Sequence, residues 1–258
     1  MRTRVRIIGG LFNVTLSPMN KIIVIPLFLL LFSACTKPNW GAANTAPTSR
    51  VSNFIDSVHY LALGDSYTIG ASVEREDNFP NQTFKLLKSA GFKTSSLQII
   101  AKNGWTAEDL ITALATTNKR SNYQVVTLLI GVNNQYQGRP SKEFEPSFLS
   151  LLKSAIALTG NKPKRVFVIS IPDWGITPFA SGRDRKEIAN EIDAYNLVCE
   201  RNAKAEGASF INITDAYRLD GSKPDFLSGD GLHPSKLEYT KWAVKLTQQI
   251  ANVLEAGG

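Results

Sequence analysis

The stretch Tyr60-Leu61-Ala62-Leu63-Gly64-Asp65-Ser66 decides how the rest of the chain is read. Its first four residues have the composition of a buried strand, and Gly64-Asp65 breaks that strand into a turn. A strand that ends this way exposes the Ser66 hydroxyl at the edge of a sheet and leaves the Ser66 backbone N–H unused. The tripeptide Gly-Asp-Ser is a weak signal alone, because the same residues make ordinary turns. It gains meaning from the rest of the chain.

Further apolar, β-branched runs recur toward the C-terminus, each closed by Gly, Pro, Asn or Asp and each leading into a longer segment of helical period. The pattern predicts strands at about 59–63, 96–101, 125–130, 166–171 and 209–213, and helices at about 80–90, 107–117, 144–158, 183–205 and 236–254. Such alternation implies a parallel sheet covered by helices. Thr106 with Asp109, and Ser235 with Glu238, have the spacing of capping boxes, while Gly91 and Gly207 are natural helix stops. The last helix carries Tyr239, Trp242, Leu246, Ile250 and Val253 on one face, which reads as core. Three more polar clusters fall where strands meet loops or before the last helix: Asn103-Gly104, Gly131-Val132-Asn133-Asn134 and Asp230-Gly231-Leu232-His233. In open α/β sheets, sites form along that edge.

These clusters hold the groups that acyl transfer through a covalent serine intermediate requires. Ser66 is the candidate nucleophile, although Thr68 rules out the Gly-x-Ser-x-Gly elbow of α/β-hydrolases. His233 is the candidate base, and Asp230, three residues earlier, can accept its Nδ1–H and leave Nε2 free for the serine proton. The only other histidine, His59, lies at the opposite end of the first strand and reads as structural. The N–H groups of Ser66 and Gly104 and the Asn133 amide are candidate oxyanion donors, Gly104 because nothing hinders close approach to its backbone. Two histidines and two cysteines supply no metal cluster, and the chain carries neither a phosphate-cradling glycine loop nor a dinucleotide fingerprint.

Ser66, Gly104, Asn133 and His233 match, in order and context, the marker residues of the SGNH (GDSL) hydrolase family. The resemblance runs from Tyr60 to the last helix. It implies a flavodoxin-like three-layer α/β/α fold with a central parallel sheet of about five strands, and hydrolysis of esters or thioesters without a cofactor. It carries over Ser66 as nucleophile and donor, Gly104 and Asn133 as oxyanion donors, His233 as base and Asp230 as its partner. One position departs from the pattern: the third block usually reads Gly-x-Asn-Asp, and Asn134 replaces the acid, which puts local loop geometry and substrate preference in question. Tyr67, Trp105, Gln135, Tyr136 and Trp174 are candidates to line the acyl or alcohol pocket, or else simply pack the loops. A lysophospholipid, a thioester and an O-acetylated sugar all remain open as the small-molecule, lipid or glycan ester substrate. A different class of reading is a silent glycan- or protein-binding surface module on the same fold, against which the intact Ser66, Asp230 and His233 argue.

With 258 residues and 43% hydrophobic content, the chain can bury one substantial core. Asn20 and Lys21 precede an apolar run, 22–32, too short to span a bilayer comfortably, and Ser33-Ala34-Cys35 comes directly after it. Residues 31–35 resemble a bacterial lipobox with Phe32 in place of the usual Leu, so Cys35 is the expected lipidation site and the membrane the expected attachment; an ordinary cysteine after a signal peptide is the alternative. The organisation expected is a leader at 1–35, with translation starting at Met19, a Thr/Asn/Ala/Pro/Ser-rich tether at 36–56, and a hydrolase domain at 57–258 in the bacterial cell envelope. Removing Arg2, Arg4, Arg6 and Lys21 with the leader lowers the formal charge from +7 to +3, too mild to argue for nucleic acid. Cys199 falls on the helical stripe Ile188, Ile192, Tyr195, Cys199 and reads as a buried thiol.

Overall fold

The computed structural model describes residues 57–257. The expected leader, Cys35 and the tether lie outside the described residues. Strands β1 (Val58–Gly64), β2 (Thr94–Ala101), β3 (Val125–Leu129), β4 (Val166–Ile169) and β5 (Ser209–Ile211) form one all-parallel sheet in the order β2-β1-β3-β4-β5. β1, β3 and β4 are buried along almost their whole length. Helices cover both faces of these inner strands, which is why their sequences are unbroken apolar runs rather than alternating ones. β2 and β5 are the edges and keep polar residues such as Ser96, Gln98 and Ser209.

The helices are α1 (Ser66–Ile69), α2 (Phe79–Ser89), α3 (Ala107–Thr116), α4 (Val132–Tyr136), α5 (Ser141–Leu158), α6 (Arg185–Ala205), α7 (Thr214–Asp220) and α8 (Lys236–Glu255). The chain leaves β1 toward β2, recrosses β1 to reach β3 and then continues in that direction. With right-handed crossovers, this reversal puts α2 on one face and α3, α5 and α6 on the other. α2 packs on α8, and α3, α5 and α6 pack neighbour on neighbour. The result is the expected α/β/α sandwich, with the strand order of flavodoxin-like folds. The reversal opens a crevice at the carboxyl ends of β1 and β3, which pair side by side at Gly64 and Leu129.

Several boundaries differ from the sequence-based expectation for identifiable reasons. β4 and β5 stop two residues early because side chains take over from the ladder. The Asn196 amide satisfies both backbone groups of Ile171 (2.7 and 3.0 Å), and the Ser170 hydroxyl accepts from the N–H groups of Ile213 and Thr214 (2.8 and 3.1 Å). α5 begins at Ser141 and runs through Pro146 in its second turn, where the missing N–H leaves the carbonyl of the exposed Lys142 to solvent. α6 begins two residues late, where Asp184 accepts from the N–H groups of Lys186 and Glu187. The Thr106–Asp109 capping box is present. The Ser235–Glu238 box is not: Ser235 accepts from Leu237 N–H, while Glu238 turns inward to Trp242 Nε1 and Lys241 Nζ (2.8 Å each) and is fully buried.

Candidate active site

Gly64, the last residue of β1, has no room for a side chain. A Cβ there would fall 2.1 Å from Thr68 Oγ1 and 2.4 Å from the Leu129 carbonyl oxygen. This close approach lets the chain turn from β1 directly into the single turn of α1. Asp65 caps that turn by accepting the Tyr67 N–H at 3.0 Å, and Gly70, at φ 79°, ends it. Ser66 is therefore held as the first residue of a capped helix at the edge of the sheet. Burial pushes the Asp65 carboxyl up to about 7, against the stabilising Tyr67 amide.

His233 sits 167 positions further on, in a closed loop before α8. An antiparallel bridge joins Leu227 to Pro234, the Ser228 N–H donates to the His233 carbonyl at 2.8 Å, and the Ser228 hydroxyl donates to the Pro234 carbonyl at 2.7 Å. Inside the loop, Asp230 Oδ1 accepts from the N–H groups of Leu232 and His233 at 2.9 Å each. Its Oδ2 lies 2.6 Å from His233 Nδ1 and accepts the Ser72 hydroxyl at 2.5 Å. Burial raises the Asp230 carboxyl, but the bonds from Ser72, the His233 ring and the two amides outweigh it and hold the group well below the usual carboxylate range. His233 Nε2 is 3.0 Å from Ser66 Oγ. The Tyr67 ring packs edge-to-face with the imidazole, with centroids 5.3 Å apart. Ser72, a non-glycine residue at φ 65°, is part of this arrangement and carries no signal in the sequence.

The other candidate oxyanion donors approach from the loop before α3 and from α4. Gly104 lies between β2 and α3 at φ 79°, with open space where a Cβ would be, and its N–H has no protein acceptor among the described residues. Asn133, on α4, donates one amide hydrogen to the Trp105 carbonyl at 2.9 Å. An amide nitrogen has two hydrogens, so this bond fixes the plane and leaves the second for the cavity that Asn133 shares with Ser66 and His233.

That cavity measures about 140 Å³, and Tyr67, Tyr136 and Trp174 line it, joined by Val132, Phe179 and Leu232. The last three add to the candidates read from sequence; Phe179 arrives on the short turn Pro178–Ala180, outside every motif. Trp105 and Gln135 stand behind the wall. The Trp105 backbone holds Asn133, and Gln135 bridges Trp174 Nε1 (2.8 Å) to Glu191 (2.7 Å), fixing the indole. Arg183 stacks on Tyr136 and Trp174, 4.9 and 5.4 Å from the ring centroids, and donates to the Tyr136 hydroxyl at 3.0 Å. A larger apolar hollow of about 350 Å³ between α3 and α5 contains none of the site residues.

The remaining candidates fall away from the chemistry. His59 is near the amino end of β1, its Nδ1 2.7 Å from Ser96 Oγ. Cys199 is a free thiol, 1% exposed, and burial pushes its pKa up. Among the described residues no group of three or more His, Cys, Asp or Glu side chains is placed to hold a metal ion.

No curated protein sequence matches the chain. Solved structures match its fold: TesA at 16% identity and TM-score 0.59, over 75% of this chain and 98% of that one; a lipase/acylhydrolase from Enterococcus faecalis at 19% and 0.57, over 75% and 95%; and the acetyl xylan esterase AlAXEase at 18% and 0.58, over 73% and 98%. At such identities the likeness speaks for the fold alone. The model of the GDSL-like lipase/acylhydrolase family matches residues 62–240, from β1 just ahead of Ser66 into α8 just past His233. That match spans more than half of the chain and takes in all four polar clusters, and it makes this protein a member of the GDSL-like lipase/acylhydrolase family.

Proposed function

We propose that this protein is a serine esterase that cleaves carboxylic esters of short acyl groups, acetyl esters foremost, through an acyl-enzyme intermediate. The observation that carries the reading is the continuous chain from Ser66 Oγ to His233 Nε2 (3.0 Å) and from His233 Nδ1 to Asp230 Oδ2 (2.6 Å). Asp230 holds the imidazole in the tautomer whose Nε2 carries a lone pair. Nε2 takes the serine proton as Oγ bonds to the ester carbonyl carbon, and the carbonyl oxygen becomes negative. The N–H groups of Ser66 and Gly104 and the second Asn133 hydrogen stabilise that charge. His233 then returns the proton to the departing alcohol, and a water molecule repeats the sequence to release the acid.

The size of the cavity supports a short acyl group, since about 140 Å³ is well under the roughly 300–1,000 Å³ of sites that enclose a drug-sized ligand. One structural relative is described as an acetyl xylan esterase, which places an O-acetylated sugar among the substrates to try first. The test is hydrolysis of para-nitrophenyl acetate by the full-length protein beside its Ser66→Ala variant, and then a panel from acetyl to long acyl esters and acetylated xylan. A wild-type rate no higher than that of the variant would favour a silent binding module. We also propose that lipid on Cys35 anchors the enzyme in the bacterial cell envelope, on the strength of the leader sequence. Metabolic labelling with a fatty-acid analogue is expected to mark the wild-type protein and not Cys35→Ser; a wild-type protein without label would count against lipidation.

A further inference from the structure

The position that breaks the family pattern is fully buried, and its amide is bonded through both its oxygen and its nitrogen. Asn134 Oδ1 accepts the Ala107 N–H at 3.0 Å, and its Nδ2 donates to Glu108 Oε2 at 3.0 Å. Ala107 and Glu108 are the first residues of α3, immediately after the Gly104-Trp105-Thr106 loop. The preceding asparagine, Asn133, holds the Trp105 carbonyl of the same loop. Two consecutive side chains of α4 therefore clamp the segment bearing one candidate oxyanion donor to the helix bearing another.

Glu108 collects the remaining charge. Besides Asn134 it accepts both guanidinium nitrogens of Arg139 (2.9 and 3.0 Å) and the Ser147 hydroxyl (2.8 Å). Burial raises its carboxyl, but these bonds prevail and bring it down to about 2, so it is ionised at every working pH. Residue 134 must thus offer an acceptor to Ala107 and a donor to a carboxylate at once. An amide does both. An aspartate has acceptors only, and one of its oxygens would stand against Glu108 at contact distance.

We propose that Asn134 and Glu108 form a matched pair that positions the oxyanion donors Gly104 and Asn133. Asn134 is a positioning residue: it acts through the loop and through its neighbour, not on the substrate. The proposal rests on the esterase reading above for its kinetic arm only.

The test is a double-mutant cycle of Asn134→Asp and Glu108→Gln in the full-length protein, read by para-nitrophenyl acetate hydrolysis and thermal unfolding. Asn134→Asp is expected to lower kcat by about tenfold to a hundredfold, less than outright removal of a donor, with KM little changed. In the double variant the amide nitrogen introduced at position 108 can donate to the carboxylate introduced at position 134, at the cost of the Arg139 Nη1 bond that the same Glu108 oxygen accepts, and part of the lost kcat is expected to return. If Asn134→Asp alone does not fold, a double variant that folds and turns over upholds the pair. A single variant with wild-type kcat, or a double variant no better than the single or equally unfolded, overturns it. If the wild-type protein hydrolyses no ester, the esterase reading fails by itself; unfolding midpoints, lowered in Asn134→Asp and partly restored in the double variant, still decide the pairing.

Discussion

Replacing Asp230 by asparagine is the substitution whose consequence can be traced furthest from the geometry. Asp230 accepts four hydrogen bonds, two at each oxygen: the Leu232 and His233 amides on Oδ1, and Ser72 and His233 Nδ1 on Oδ2. An asparagine oxygen can serve only one of these pairs. Placed toward the backbone amides, it leaves the side-chain NH₂ facing Ser72 and His233. The Ser72 hydroxyl can rotate and accept; Nδ1 can accept only by losing its hydrogen. The imidazole then carries its hydrogen on Nε2, aimed at Ser66 Oγ, with no lone pair to take the serine proton. Loss of the working tautomer in a serine triad costs on the order of 10⁴ in kcat, equivalent to about 5.5 kcal/mol of transition-state stabilisation at 1.36 kcal/mol per decade. Asp230 does not line the cavity, so KM for para-nitrophenyl acetate should change little. Initial rates over a substrate series for Asp230→Asn and wild type, with circular dichroism to check folding, measure both constants. A kcat within about tenfold of wild type would refute the assignment of Asp230 as the residue that holds the tautomer.

Three further outcomes are expected. Asn133→Ala should lower kcat by about 10²–10³, since it removes the amide that the Trp105 carbonyl aims at the cavity; steady-state kinetics measure it, and an unchanged kcat would take Asn133 out of the site. Gln135→Ala should unfasten the Trp174 indole and, with it, the discrimination between acetyl and longer acyl esters; an unaltered chain-length profile would show that the indole needs no such tether. Asp65 keeps a proton in the native state up to about 7 that the unfolded chain gives up near 3.8. The native state therefore binds more protons across that window, and stability is lost as pH rises through it. Asp65→Asn abolishes this loss while still accepting the Tyr67 N–H, so urea unfolding should show the variant gaining on wild type between pH 5 and pH 8; a difference independent of pH would contradict the buried, protonated carboxyl.

What sequence reading recovers and what it misses divide along a physical line. β1, β3 and β4 stand out because burial on both faces writes itself as an uninterrupted apolar run, and Ser66, Asn133 and His233 stand out because each closes a run or borders a capped helix. Asp230 is visible because it lies three residues from the base it serves. Ser72 reaches Asp230 across 158 positions, and Phe179 enters the cavity from a turn with no periodicity, so neither leaves a local trace. The single turns α1 and α4 are too short to show a helical period, although both carry site residues. The Ser235–Glu238 spacing misleads because a cap is a weaker attraction for a carboxylate than the Trp242 indole N–H and the Lys241 ammonium that α8 brings alongside it. Asn134 reads in sequence as a loss of charge; the carboxylate that needs its N–H, Glu108, lies 26 positions earlier and gives no local sign of the pairing.

In the proposed reaction the Ser66 oxygen is the atom that bonds to the substrate. Incubation of the full-length protein with a para-nitrophenyl phosphonate ester, with peptide mass spectrometry and residual-activity measurement afterwards, tests this assignment most directly. The expected result is one phosphonyl group per chain on the peptide containing Ser66, loss of esterase activity in step with labelling, and no label in Ser66→Ala. Label on another residue at full occupancy, or complete labelling of Ser66 with activity intact, would contradict it.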